Sequence, residues 1–241
     1  MTVQNYLYIL VYNTIRTQCL KPETTMEYKL ENNIAVLHFD DGKANAIGYQ
    51  FIEDMYAGLD KAQEEAVAVV ITGKDGIFSA GFDLKELQKG EKEQEALVSE
   101  GFKMLTRLFS HPQPTVAACN GHAAGLGAFL LLASDTRIGS TEDYKVTLPE
   151  TSIGMPFTET LTALIHARVD RRYQTMTMVQ SVPLTPELAV KAGFLDEVVP
   201  QEKLLAQAMG YAQSLAQLPA TYYEINKLDL RSEPLSKMVD A

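Results

Sequence analysis

Two glycine-bearing segments, Phe78-Ser-Ala-Gly-Phe-Asp-Leu84 and Asn120-Gly-His-Ala-Ala-Gly-Leu-Gly127, restrict this chain more than any other feature. Each follows a β-type run, Val67-Ala-Val-Val-Ile-Thr72 or Val116-Ala-Ala118, and leads into helical sequence. Strands that give way to helices in this manner belong to α/β folds. The same arrangement leaves backbone N–H groups without partners at a helix start, where the macrodipole favours negative charge. Two such ends aimed at one point would form an oxyanion hole. A third segment, Leu148-Pro-Glu-Thr-Ser-Ile-Gly154, then supplies a carboxylate.

The rest of the pattern fits an α/β body with a helical tail. Ile34-Ala-Val-Leu-His-Phe39 reads as a strand closed by Asp40-Asp-Gly42. Ile47, Phe51, Ile52, Met55 and Leu59 then recur at helical spacing before the Val67–Thr72 strand. The dense charge from Lys85 to Glu95 reads as a solvated helix or lid. An apolar stripe, Phe102, Leu105, Leu108 and Phe109, stops at the breaker His111-Pro-Gln-Pro114. The uncharged stretch from Ala123 to Ala133 reads as a buried helix, and Thr136–Ile138 and Tyr144–Leu148 as short strands. After Pro156 only helices are expected: Phe157–Arg168, Arg171–Gln180, one opened by Thr185-Pro-Glu187 and ended at Gly193, and Leu204–Leu218. The division this predicts is an N-terminal extension over 1–25, expected to be poorly ordered, a core over 26–183 and a helical part over 184–241.

Composition removes several function classes. A net charge of −10 among 241 residues argues against nucleic acid as the main partner. No run approaches the length of a membrane span, and no basic residue precedes the apolar Leu7–Tyr12 as a secretory signal requires. A cytoplasmic setting without membrane partners is therefore expected. Cys19 and Cys119 match neither a disulfide framework nor a metal set, and no His/Cys cluster suggests a metal.

In order along the chain, Gly42-Lys-Ala-Asn-Ala-Ile47, Ile71-Thr-Gly73, the two glycine segments, Ala133-Ser-Asp-Thr-Arg137, Pro149-Glu150 and Ala192-Gly-Phe-Leu-Asp-Glu-Val-Val-Pro200 resemble the enoyl-CoA hydratase/isomerase (crotonase) superfamily. The resemblance runs from about Met26 to Pro200. It implies a spiral of ββα turns, a C-terminal helical part used in trimerisation, acyl-CoA thioesters as substrates, and a homotrimer or dimer of trimers. Coenzyme A would enter as part of the substrate, with no separate cofactor.

By this resemblance the oxyanion hole is made by the backbone N–H groups of Phe82 and Leu126. Gly81, Gly125 and Gly127 would let that backbone approach a ligand. Lys43, Ala44, Ala80 and Asp83 would lie along the coenzyme A part. Glu150 would be the acid/base; a partly enclosed carboxylate there has its pKa raised toward working pH. Read without the resemblance, the glycines serve tight packing and Glu150 caps a surface turn.

Phe129 bears on the reaction. Family hydratases carry a second glutamate two residues after the last glycine of the glycine-rich segment, and Phe129 stands there in this chain. It is therefore expected beside the substrate, unable to handle water. A single Glu150 suits moving a double bond from 3-enoyl-CoA to 2-enoyl-CoA. The alternatives are a hydratase with altered water handling, another acyl-CoA lyase or thioesterase, and a non-catalytic acyl-CoA binder. The aspartate of other family branches would fall at Thr158, with Glu159 one residue off. Arg168, Arg171 and Arg172 form a basic patch read as helix-end charges or phosphate contacts, and His122 a structural donor. Met104, Leu105, Phe109, Phe157 and Leu161 serve either as core or as an acyl tunnel.

Overall fold

A computed structural model describes residues 24–238. All of the 1–25 extension except Thr24 and Thr25 lies outside them, as does Cys19. Thr25 is held down: its N–H and hydroxyl both donate to the Asp54 carboxylate, at 2.6 and 2.9 Å.

The chain opens with a hairpin of β1 (Met26–Glu31) and β2 (Ile34–Phe39). Its two-residue turn is Asn32-Asn33, both at positive φ, the backbone twist that suits a tight antiparallel connection. After β3 (Ala46–Ile47), helix α1 (Tyr49–Glu65) returns the chain to β4 (Ala68–Thr72). Then come β5 (Gly76–Ser79), β6 (Gly81–Phe82), α2 (Leu84–Leu87) and the long α3 (Glu91–Phe109). The same course repeats through β7 (Thr115–Cys119), β8 (Gly121–Ala124), α4 (Leu126–Ala133) and β9 (Thr136–Ser140). The chain runs strand, strand, helix twice over, as a ββα spiral does.

Among the described residues, one sheet has the order β1-β2-β4-β7-β9, parallel apart from the hairpin. Its strands are apolar without alternation because both faces are covered. Leu37, Phe39, Val69, Ile71, Ala117 and Cys119 face the main core, with α1, α3 and α4. Their neighbours Val36, Val70, Val116 and Ala118 belong to a smaller cluster on the other side. A second sheet is made of β5, β8 and β10 (Val146–Thr147), all parallel, and β3 pairs with β6.

Past β10 the chain continues through α5 (Glu159–Arg168), α6 (Arg171–Gln174) with a wider turn at Thr175–Val179, and α7 (Pro186–Ala192). Thr185 caps α7, Pro186 opens it and Gly193 ends it at φ +90°, as the sequence predicts.

Three expectations are corrected. The strand Tyr144–Leu148 shrinks to Val146–Thr147, because the Tyr144 and Lys145 N–H groups donate to the Glu142 carbonyl and to His122 Nδ1. The region after Pro156 is not purely helical. Glu197–Val199 forms β11, which pairs parallel with β9 and completes a six-stranded sheet. Three residues carry too little periodicity to be read as a strand. Nor is Leu204–Leu218 the last helix: α8 (Gln201–Leu215) is followed by α9 (Ala220–Leu230) and α10 (Ser232–Ser236).

The part after 184 is therefore built into the body. Helix α8 lays Leu204, Ala208 and Ala212 on the second face of the main sheet. Helix α9 and the residue that caps its end insert Lys227 and Arg231, whose charged heads both reach the buried Asp135 carboxylate at 2.6 Å. Tyr223 donates to the same carboxylate, and Lys227 also caps the loop after α3 through the His111 and Gln113 carbonyls.

Candidate active site

The three segments singled out by sequence leave the same end of one small sheet. Strands β5, β8 and β10 are parallel neighbours, so their carboxyl ends lie side by side. Ser79 pairs with Ala123, and the chain passes on through Ala80 and Gly81. Ala124 pairs with Thr147; beyond them lie Gly125-Leu126 and Leu148-Pro149-Glu150. Crevices beyond the carboxyl ends of parallel strands are the general ligand site of α/β folds.

The two glycine turns touch. Gly81 has φ +84°, and a Cβ there would stand 2.7 Å from the Ala124 carbonyl oxygen and 3.2 Å from the Leu126 nitrogen. Only glycine allows this approach. Gly125, at φ +50°, precedes α4, and Leu126 is the first residue of that helix, where an N–H has no intrahelical acceptor. The first turn is steadied from behind. Ala80 donates to the Ala44 carbonyl, Asp83 to that of Ile47, and the Ser79 hydroxyl to that of Asn45. Asn45 is itself buried at φ +49°, with its amide on the Phe39 carbonyl.

Glu150 follows Pro149 and begins the 3-10 turn Glu150–Ile153, which Gly154 closes in the left-handed region. The residue is only 8% exposed, and its Oε2 is buried without a hydrogen-bond partner among the described residues. Its Oε1 lies 3.5 Å from where a Gly125 side chain would begin, so the carboxyl rests against the α4 turn. Burial pushes its pKa up to about 7, against a smaller opposing pull from its own backbone N–H.

Ala80, Gly81, Phe82, Gly125, Leu126 and Glu150 all line one cavity of about 560 Å³. That volume fits a small-molecule site. Lys43, Ala44 and Asp83 do not line it. Lys43 is exposed on a loop whose N–H groups are gathered by the Asp41 carboxylate, which they hold below its usual range although burial acts against them. Asp83 caps α2 by accepting from Lys85 N–H.

Phe129 is corrected: it is fully buried in the main core and not on the cavity wall. Its position one turn into α4, a helix buried all round, accounts for this. Gly127 is a packing glycine, since a Cβ there would meet the Ser79 carbonyl at 2.3 Å. Of the tunnel candidates only Leu161 reaches the cavity; Met104, Leu105 and Phe109 are core. Thr158 lines the cavity and caps α5, whereas Glu159 is exposed. Arg168 binds the Leu132 and Ser134 carbonyls at the end of α4, and Arg172 pairs with Asp170. The exposed His122 accepts from Lys145 N–H at 3.2 Å and stands apart from the cavity. Burial pushes the Cys119 thiol up to about 12. No group of residues able to hold a metal occurs among the described residues, and no described helix is long and apolar enough to cross a membrane.

The sequence reading missed the opposite wall. Leu84, Leu87, Glu91, Glu95, Val98 and Phe102 recur every three or four residues along α2 and α3 and line the cavity. The charge density of Lys85–Glu95 concealed a helical stripe that continues into Val98 and Phe102.

Comparison with known proteins agrees with this architecture. The enoyl-CoA hydratase/isomerase family model matches residues 29–234. A probable enoyl-CoA hydratase of Bacillus subtilis is 35% identical over 126 residues, 51% of this chain and 48% of the relative, so the match spans about half of that protein. An enoyl-CoA hydratase/isomerase family protein from Pseudomonas syringae superposes with a TM-score of 0.88 at 34% identity, covering 90% of this chain and 94% of the other. The apo enoyl-CoA isomerase of Mycobacterium tuberculosis gives 0.86 at 32% identity, covering 89% and 94%. With its spiral of ββα turns and C-terminal helices, the chain belongs to the enoyl-CoA hydratase/isomerase family.

Proposed function

We propose that this protein isomerises 3-enoyl-CoA to 2-enoyl-CoA. Glu150 takes a proton from C2, the electron pair spreads into a dienolate, and its charge gathers on the thioester oxygen. The backbone N–H groups of Phe82 and Leu126 hold that oxygen. The Glu150 acid then returns the proton at C4, leaving the double bond between C2 and C3. Donors of this kind supply several kcal/mol, and losing one typically costs about 3–4 kcal/mol.

The observation that carries this reading is the buried Glu150 carboxyl, its Oε2 without a hydrogen-bond partner among the described residues, beside the two touching glycine turns. Burial raises its pKa to about 7, so both its acid and its carboxylate forms are accessible near neutrality, as taking and returning a proton requires. Phe129 offers no second carboxylate from α4. The M. tuberculosis neighbour is called an isomerase in one structure and a probable hydratase in another, and so favours neither reading. Lys43 and Ala44 then bind coenzyme A outside the cavity, and the protein works as a homotrimer, which light scattering tests.

Hydration of 2-enoyl-CoA is the second reading. Glu91 and Glu95 line the same cavity and could hold water, and the Bacillus relative is named a probable hydratase. A spectrophotometric screen of 2-enoyl- and 3-enoyl-CoA esters separates them. Conjugation of the 3-enoyl ester without loss of the 2-enoyl ester supports isomerisation. Efficient conversion of the 2-enoyl ester to the 3-hydroxy ester rejects it.

A further inference from the structure

Helix α3 contains a glycine that neither its backbone nor the family reading explains. Gly101 sits buried within Glu91–Phe109, where alanine would be preferred by about 1 kcal/mol. A Cβ at this position would stand 2.6 and 2.7 Å from Cε1 and Cζ of the Phe82 ring, and 3.0 Å from Cδ2 of Leu126. Those are the side chains of the two residues whose amides are proposed to hold the enolate. One helical site thus seats both.

We infer that Gly101 is a positioning residue for the oxyanion pair, and that its missing side chain keeps the Phe82 ring out of the substrate cavity. The inference rests on the reading of Phe82 and Leu126 given above. Ordinary carbon contacts lie at about 3.5–4.0 Å, so any side chain at 101 displaces the ring by about 1 Å. The ring has α3 on one side, the Phe102 ring beside it at 6.4 Å between centroids, and the cavity in front. The cavity gives it open space into which to withdraw. Phe82 stands in a two-residue strand, β6, paired along one edge with β3. A pull on its side chain is opposed by the Ile47 pairing and the neighbouring Asp83 N–H bond to the Ile47 carbonyl, and acts as a tilt of the peptide about that edge. A 1 Å misplacement near reacting atoms can cost about a hundredfold in rate.

The test is Gly101→Ala, with Gly210→Ala on α8 as a control, since Gly210 has open space around it. Two readouts are needed: turnover of 3-enoyl-CoA, and the near-ultraviolet enolate band of a bound β-ketoacyl-CoA, which needs no turnover. Gly101→Ala is expected to keep or raise Tm while kcat falls 10- to 100-fold and the enolate band weakens. The pH midpoint set by Glu150 stays in place. Adding Phe82→Leu removes the colliding ring tip and keeps the backbone donor. The double variant should return to within threefold of Phe82→Leu alone. Wild-type turnover and an undiminished band in Gly101→Ala would overturn the inference by itself, as would a double variant no better than Gly101→Ala. A wild-type protein that gives neither turnover nor band overturns the functional reading instead, and this inference with it.

Discussion

Replacing Glu150 with glutamine removes one proton-binding group from an enclosed wall and changes its shape little. The ordinary glutamate value is 4.5, and burial raises it to about 7 in the folded protein. At roughly 1.36 kcal/mol per pH unit, a gap of about 2.5 units corresponds to about 3 kcal/mol. The sign follows from where each state holds its proton. Below pH 4.5 both the folded and unfolded chains keep it, and no penalty exists. Between 4.5 and about 7 the unfolded chain releases it while the folded chain does not, so wild-type stability falls as pH rises. Above about 7 the loss is complete. Glu150→Gln lacks this loss. Its stability relative to wild type should therefore rise by about 3 kcal/mol between pH 4.5 and pH 8, roughly 6–12 °C in Tm for a chain of this size. Whatever the amide itself costs is independent of pH and drops out of the comparison. Urea unfolding of both proteins across the pH series measures the difference directly. A difference that stays flat would refute the claim that the carboxyl is enclosed and raised.

Other outcomes follow from the same structure. The value of kcat/KM for 3-enoyl-CoA should rise with pH to a plateau above about 7, because the base must be ionised; a pH–rate profile flat from 5 to 9 contradicts this. Glu150→Ala should lower isomerisation at least about a hundredfold while circular dichroism stays native. Phe129→Glu places a charge in a fully buried site and should cost about 3 kcal/mol or more by urea unfolding. Asp135→Asn leaves Lys227 and Arg231 buried without their carboxylate and should cost about 3–5 kcal/mol, read as a lower urea midpoint.

The parts of this protein that were legible in its sequence are those dictated by local chemistry. Thr185, Pro186 and Gly193 mark a helix start and stop because each position has a backbone demand that few residues meet. The apolar runs at Ile34–Phe39 and Val67–Thr72 declared strands, and the structure covers both of their faces. Glu150 and the glycines at 81 and 125 stand out through the family resemblance; their residue types alone read equally well as packing glycines and a turn cap.

What depended on tertiary pairing was hidden. Glu197–Val199 becomes a strand only because β9 offers it an edge. Whether Phe129 faces substrate or core is decided by the rotation of α4, which is apolar on every side and so gives no sequence cue. The charged start of α3 looked solvated, yet the same helix turns Val98 and Phe102 toward the cavity. Gly101 reads as a mere helix blemish until the Phe82 ring is seen against it.

The most direct trial is a crystal structure with a β-ketoacyl-CoA bound. The thioester oxygen is expected about 2.7–3.1 Å from both the Phe82 and Leu126 nitrogens, with a Glu150 oxygen in contact with C2. A thioester oxygen held by other groups, or a Glu150 carboxyl turned away from C2, would contradict this mechanism.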